Sequence, residues 1–201
     1  MSNTLYEEQG YTAGELPEAP VIVDSGRFVF FIGLALDAIL FITFIGGYYA
    51  LRTDAIAWPP ADLPHLHRAL IGFSSIFLGG AALLLMLTVF AQNRNALRTM
   101  RASLILSLIC LAAFLALNAH EWRSIIATGL PIRTVFGGIY FVLTGLFFFH
   151  IIGAMVYIIS KYRWTLRWRR YTRSAVSILN LAYFMDAMLF LWLGIYYVLY
   201  F

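Results

Sequence analysis

Charge is what this chain has least of. Asp, Glu, Lys and Arg together make up 12% of its 201 residues, about half the share found in an ordinary soluble domain. So little charge excludes an intrinsically disordered chain and a nucleic-acid module alike. Cysteine is nearly absent too. Cys110 is the single one, so no intrachain disulfide is possible and a disulfide scaffold is excluded. Its setting, Leu108-Ile109-Cys110-Leu111, reads as packing within an apolar run. There are four histidines, and three of them, His65, His67 and His120, fall at or beyond the ends of apolar runs. One mid-run histidine does not make the convergent His, Cys or carboxylate set that zinc or haem requires. No Gly-rich phosphate loop and no Ser/His/Asp set stands out, so neither a metal site nor a catalytic centre is expected in this chain alone. What is abundant is hydrocarbon: 62% of the residues are apolar, against roughly 45–50% in a globular domain. A soluble protein of this size has too much surface to hide that fraction from water. The bilayer is the solvent that fits.

A helix needs about 20 mostly apolar residues to cross roughly 30 Å of hydrocarbon. Five stretches qualify, at about 26–51, 66–91, 102–122, 134–160 and 174–201. None alternates with the period of two that a β-barrel demands. The expected fold is therefore an all-α bundle of five transmembrane helices spanning 26–201. It is preceded by an acidic N-terminal tail, 1–25, with Glu7, Glu8, Glu15, Glu18 and Asp24. The tail has neither a basic nor an apolar segment of the kind that marks a signal peptide.

Lys and Arg set the expected orientation. Ten of the 14 sit on one side: Arg27, then Arg94, Arg98 and Arg101, then Lys161, Arg163, Arg167, Arg169, Arg170 and Arg173. The other four, Arg52, Arg68, Arg123 and Arg133, fall on the opposite side. The first group marks the cytoplasmic face, which puts the N-terminus inside and the C-terminus outside. In the 161–173 loop, Arg alternates with Trp in a manner also used to stack on nucleic acid. Between two spans the pattern instead predicts an interfacial belt, with Arg163, Trp164, Arg167, Trp168, Arg169 and Arg170 meeting phospholipid headgroups.

Three polar residues break the apolar rule. Asp37 lies eleven residues beyond Gly26, Asp186 twelve beyond Ser174, and His150 ten before Ser160. Spans one and five leave the cytoplasmic face while span four returns to it. At 1.5 Å per residue, all three groups therefore lie roughly 15–18 Å deep. An aspartate at a helix centre costs about 2.5–3.5 kcal/mol on insertion scales, which favours grouping the three inside the bundle. The cluster reads either as a knot that fixes helix register or as a proton-handling or ion site. Small and hydroxyl residues, among them Gly33, Gly46, Gly72, Gly79, Gly145, Gly153, Ser74, Ser75 and Thr144, are expected to let helices approach closely. Glu121 reads as an outer-interface partner for Arg123 or Arg133, with an interior position left open.

Several strings resemble subunit III of the haem–copper oxidases. Gly138-Ile139-Tyr140-Phe141-Val142-Leu143-Thr144-Gly145, followed by His150-Ile151-Ile152-Gly153, is similar to that family's signature helix. Leu36-Asp37-Ala38-Ile39-Leu40-Phe41 resembles its acid before an aromatic-rich run. Trp58-Pro59-Pro60 resembles its external loop, Glu121-Trp122 its Glu–aromatic pair, and Phe184-Met185-Asp186 with Trp192 and Tyr196 its last helix. The order is the family's, from Phe28 onward, in a five-span form lacking two N-terminal helices. The chain departs from the pattern at Leu146-Phe147, where a His-Gly pair is usual, at Asp37, commonly Glu, and at Tyr183, often His. The Tyr-Phe-Val-Leu-Thr-Gly string and the Glu-Trp pair look closer to the subunit-III-like proteins associated with nitric oxide reductases.

The resemblance implies a non-catalytic accessory subunit in a bacterial inner membrane. Such a subunit packs against a catalytic partner that holds haem and copper or non-haem iron, with no cofactor of its own. It binds lipid and supports proton uptake or substrate access. By position, Asp37 and His150 would form an intramembrane polar pair supported by Asp186, Glu121, Thr144 and Tyr183. A small transporter relaying protons through Asp37 and Asp186, and an inert structural membrane protein, are the alternatives.

Overall fold

The computed structural model describes residues 25–53, 55, 58, 66–127, 134–167 and 175–201. Among the described residues the chain forms five helices: α1 (Ser25–Thr53), α2 (Arg68–Asn93), α3 (Leu97–Ala127), α4 (Val135–Arg167) and α5 (Ala175–Tyr200). All five are long and apolar enough to cross a membrane, and the chain is an integral membrane protein of the all-α class. Hydrocarbon offers the backbone no hydrogen-bond partner, so each span satisfies its own N–H and C=O groups as a helix.

Three helices end close to where the apolar runs do, and two overrun them. α3 extends to Leu97 and Ala127 rather than 102 and 122, and α4 continues seven residues past Ser160 to Arg167. Lys161, Arg163 and Trp164, expected in a loop, thus form the last turns of a helix. An apolar run measures the thickness of hydrocarbon. The helix itself can run on past the hydrocarbon where no breaker stands, and neither Gly nor Pro occurs between Ala154 and Arg167. The acidic tail up to residue 24, Pro59, Pro60, His65, Pro131, Arg133 and residues 168–174 lie outside the described residues.

The centre of the fold is the α2–α3 hairpin. Buried residues on α2 (Ile71, Ser74, Leu78, Ala81, Leu85, Thr88) and on α3 (Met100, Leu104, Ser107, Leu111, Phe114, Asn118, Glu121, Ile125) recur at alternating spacings of three and four. That spacing is the seam of a left-handed helix pair. About half of the α2 positions are small or hydroxyl-bearing, which lets the two backbones close in. Two hydrogen bonds cross the seam: Thr88 and Ser103 hydroxyls meet at 2.7 Å, and Asn118 Nδ2 donates to Ser74 Oγ at 3.1 Å. The turn between the helices is three residues long. Ala96 N–H returns to the Ala91 carbonyl (2.8 Å) and Asn95 N–H to Gln92 (3.0 Å), which satisfies the last carbonyls of α2 in a Schellman arrangement. Asn95 takes the left-handed conformation this requires, at φ 54°.

α5 lies along α2, α4 bridges α3 and α5, and α1 touches only α4 and α5. Trp192 is fully buried where these helices meet, 4.9 Å from the Phe114 ring and 4.8 Å from Phe147. Its indole N–H donates to Ser75 Oγ at 2.9 Å. α1 is peripheral: only 6% of its apolar stretch is buried, against 33–39% in the other four. Close approach at glycine is confined to few places. A Cβ on Gly72 would meet Tyr196 Oη at 2.9 Å and one on Gly145 the Trp122 ring at 3.3 Å, whereas at Gly33, Gly46, Gly79 and Gly153 it would meet nothing within 4 Å. Serine and alanine, more than glycine, bring these helices together.

Truncation should separate the seam from the rim. Leu111→Ala should cost about 2–5 kcal/mol, whereas Leu83→Ala, 73% exposed on α2, should stay within about 0.5 kcal/mol. Reversible unfolding in detergent micelles measures both.

Candidate functional site

Asp37 and His150 meet between α1 and α4, with His150 Nε2 2.9 Å from Asp37 Oδ1. Phe41, one turn on from Asp37, aligns the contact. Its ring packs edge-on against His150 (5.7 Å) and Phe147 (6.3 Å), so the same face of α1 delivers both the carboxyl and an aromatic wedge. The other imidazole nitrogen, Nδ1, lies 2.8 Å from the Leu146 carbonyl. A carbonyl only accepts, so Nδ1 carries a hydrogen and donates it. A bare Nε2 facing a carboxylate would set lone pair against lone pair, so one further proton lies between Nε2 and Oδ1. The pair holds that proton between two bases and is neutral overall whichever atom carries it.

Both side chains are largely removed from the outside, at 12% exposure for Asp37 and 21% for His150. They border an open cleft of about 590 Å³ walled by Phe30, Leu34, Leu36, Leu40 and Phe184. A second cleft, of about 430 Å³, shares Phe30, His150 and Phe184 and extends to Ser177 and Asn180. Asp37 Oδ2 and Asn180 Oδ1 are both buried with no hydrogen-bond partner among the described residues. Asn180 was not among the sequence candidates. A lone amide five residues beyond the start of a long apolar helix carries little signal until the fold shows what it lines.

Asp186 does not join them. Among the described acids, Asp37 alone lies within 4 Å of a His150 nitrogen. At about 100° per residue, Asp186 points some 200° away from Phe184, the α5 residue that walls the cleft. Asp37 and His150 meet, and helix rotation separates Asp186 from them. Tyr183, also expected to support the group, is 40% exposed and packs its ring 6.3 Å from Phe31 of α1. Thr144 is buried elsewhere. Its hydroxyl donates to the Tyr140 carbonyl (2.7 Å) and accepts from the Trp122 indole (3.2 Å), tying α4 to α3.

Glu121 has a different partner from the one expected. It is fully buried, and it meets His67 rather than Arg123. Arg133 lies outside the described residues. The His67 backbone N–H donates to Oε1 at 2.8 Å and its ring Nδ1 to Oε2 at 2.9 Å. His67 is the residue that caps α2, so a carboxylate from α3 sits where unsatisfied N–H groups and the helix dipole favour negative charge. The sequence held one signal for this: Glu121 continues the three-four register of Leu111, Phe114 and Asn118, which places it on the buried seam. At that same end of the bundle, the Tyr140 and Tyr200 hydroxyls meet at 2.9 Å and Tyr196 donates to the Arg68 carbonyl at 3.1 Å.

The opposite, basic end has its own tie. Arg101, at the start of α3, donates through Nη2 to the Thr165 carbonyl in the last turn of α4, a cation against the negative end of a helix. Arg163 and Trp164 are exposed on that last turn. Trp168, Arg169 and Arg170 lie outside the described residues, as does the side chain of Arg167.

No protein-family model matches the chain, and no curated protein matches it. The chemistry of the site therefore rests on its geometry: two bases sharing a proton beside an apolar cleft, and no group of three or more His, Cys, Asp or Glu placed to hold a metal ion among the described residues.

Removing one member of the pair leaves the other without its partner, whereas removing both does not. Asp37→Leu and His150→Leu should each destabilise the chain more than the double substitution implies. A coupling energy of about 1–2 kcal/mol is expected from an unfolding cycle in micelles, toward the upper end measured for polar pairs in membranes.

Proposed function

We propose that this protein is a non-catalytic accessory subunit of a respiratory membrane complex, of the subunit III kind found with haem–copper oxidases or nitric oxide reductases. The observation that carries the reading is the Asp37–His150 pair. It joins the two positions that the family resemblance assigns to an intramembrane acid–histidine pair, in a chain whose sequence resembles that family over nearly its whole length. On this reading the haem, with copper or non-haem iron, belongs to the catalytic partner. This chain contributes a helical face that stabilises the partner, and a neutral proton-holding pair beside an apolar cleft open to the bilayer. The cleft suits a lipid chain, and the pair suits proton uptake or the shaping of substrate access.

The N-terminal end of α1, the α2–α3 turn and the end of α4 are assigned to the cytoplasmic side of a bacterial inner membrane, with the C-terminus outside. What supports this is the concentration of Lys and Arg at that end. A proton-coupled transporter using Asp37 and Asp186 in series is the weaker reading, because Asp186 points away from the cleft that Asp37 borders.

Purification from native membranes in mild detergent should bring haem absorbance with the chain. Isolation free of any haem protein, with proton-coupled transport in liposomes, would replace this reading by the transporter. In the purified complex, Asp37→Ala should leave assembly largely intact and shorten the half-life of activity several-fold during sustained turnover; an unchanged decay curve removes the acid from that role. Reporter fusions after Trp58 should report the outside and fusions after Tyr171 the cytoplasm, and the reverse pattern overturns the orientation.

A further inference from the structure

Three acids fall within the described residues of the helices, and two find their counterpart inside the bundle. Asp37 has His150 and Glu121 has His67. Asp186 makes no hydrogen bond and no ion pair with any described residue, although it lies in the middle of a membrane-spanning helix. Its place on α5 accounts for this. The inward face of α5 carries Ile178, Leu181, Met185, Met188, Trp192, Ile195 and Leu199 at spacings of three and four, all buried. Asp186 belongs to a second row with the same spacing, Asp186, Phe190, Leu193 and Tyr197. The last three are 73%, 45% and 65% exposed and Asp186 is half-buried; at about 100° per residue all four lie within some 60° of one another on the side of α5 away from the cleft.

A row of exposed apolar residues on a spanning helix needs no partner, because lipid covers it. A carboxyl within that row is different. Acids in membrane spans face a bundle interior or a water-filled cavity, and pair there. The cleft cannot serve Asp186, since it opens on the other side of α5. We propose that the outward row of α5 is the docking seam for a transmembrane helix of a partner protein, which carries an Arg, Lys or His at the depth of Asp186. The three-four spacing is that of knobs-into-holes packing, so Phe190, Leu193 and Tyr197 would interleave with the partner while the acid fixes its register. A second copy of this chain is the poorer occupant, because a two-fold axis along the membrane normal would bring Asp186 against its own copy with like charges. The identity of the partner as the catalytic subunit rests on the proposed function; the seam itself does not.

The test places a photo-crosslinking benzoylphenylalanine at Phe190, and as a control at Leu83 on α2, in the full chain expressed in its native membrane. Irradiation from position 190 should yield an adduct with a membrane-spanning segment that has a basic residue within one turn of the attachment point, and position 83 should not. Asp186→Leu should lower the adduct yield at least tenfold, Asp186→Glu should retain it, and Asp186→Arg combined with an acid at the partner's basic position should restore it. Retained melting behaviour in micelles shows that Asp186→Leu still folds. Adducts with lipid alone, with a second copy, or with a segment lacking a basic residue overturn the proposal, as does a yield indifferent to Asp186→Leu. If the adduct forms as expected but its partner carries no haem, the docking seam stands and the accessory-subunit reading fails. If the chain co-purifies with haem yet position 190 captures no protein, the reverse holds.

Discussion

A polar side chain carried into hydrocarbon has no water to meet it, so another protein group must. Almost every polar contact in this bundle follows from that constraint. Hydroxyls of Ser74, Thr88, Ser103 and Ser107 return to carbonyls on their own helices and, at Thr88 and Ser103, to each other. Tryptophan N–H groups reach Thr144 and Ser75. The ionisable groups obey the same rule with more at stake, since a lone buried charge costs far more than a lone hydroxyl. Asp37 and Glu121 each take a histidine, but for different ends. Glu121 and His67 fasten the start of α2 to α3 at one end of the bundle. Asp37 and His150 attach the outermost helix at mid-depth and leave a proton shared between two bases.

The division of labour between helices has the same origin. α2 and α3 approach closely because small and hydroxyl residues line their seam, and α5 completes the core by inserting Trp192. α1 has no such row. It buries Phe41 and Tyr48 and depends on the Asp37 contact to fix its height and rotation against α4 and α5. Its remaining surface is apolar and open, which is why one face of the protein is a pair of clefts rather than a sealed core.

Much of this was legible before the fold was known. Apolar length alone located five spans, because membrane thickness sets how long a helix must stay hydrophobic. Counting residues from the basic end placed Asp37 and His150 at one height, since rise per residue does not vary. Rotation was not legible. Each residue turns the helix by about 100°, so a few residues of uncertainty in where α5 meets its neighbours moves Asp186 from the interior to the outside. The partner of Glu121 was hidden for another reason: His67 lies 54 positions away, just outside a helix, in a stretch whose composition says only that it is near a membrane surface. The overrun of α4 into Lys161–Arg167 was missed because polarity was equated with the end of a helix, and no breaker stands there.

The order in which the chain is made bears on the α1 contact. Asp37 is synthesised 113 residues before His150, and at about 5–20 residues per second the ribosome takes on the order of 10 s to supply the imidazole. Through that interval the first span carries an acid at its midpoint with neither α4 nor α5 to lean against. Among the five described helices, the first made therefore gains its mid-depth contact only when the fourth arrives.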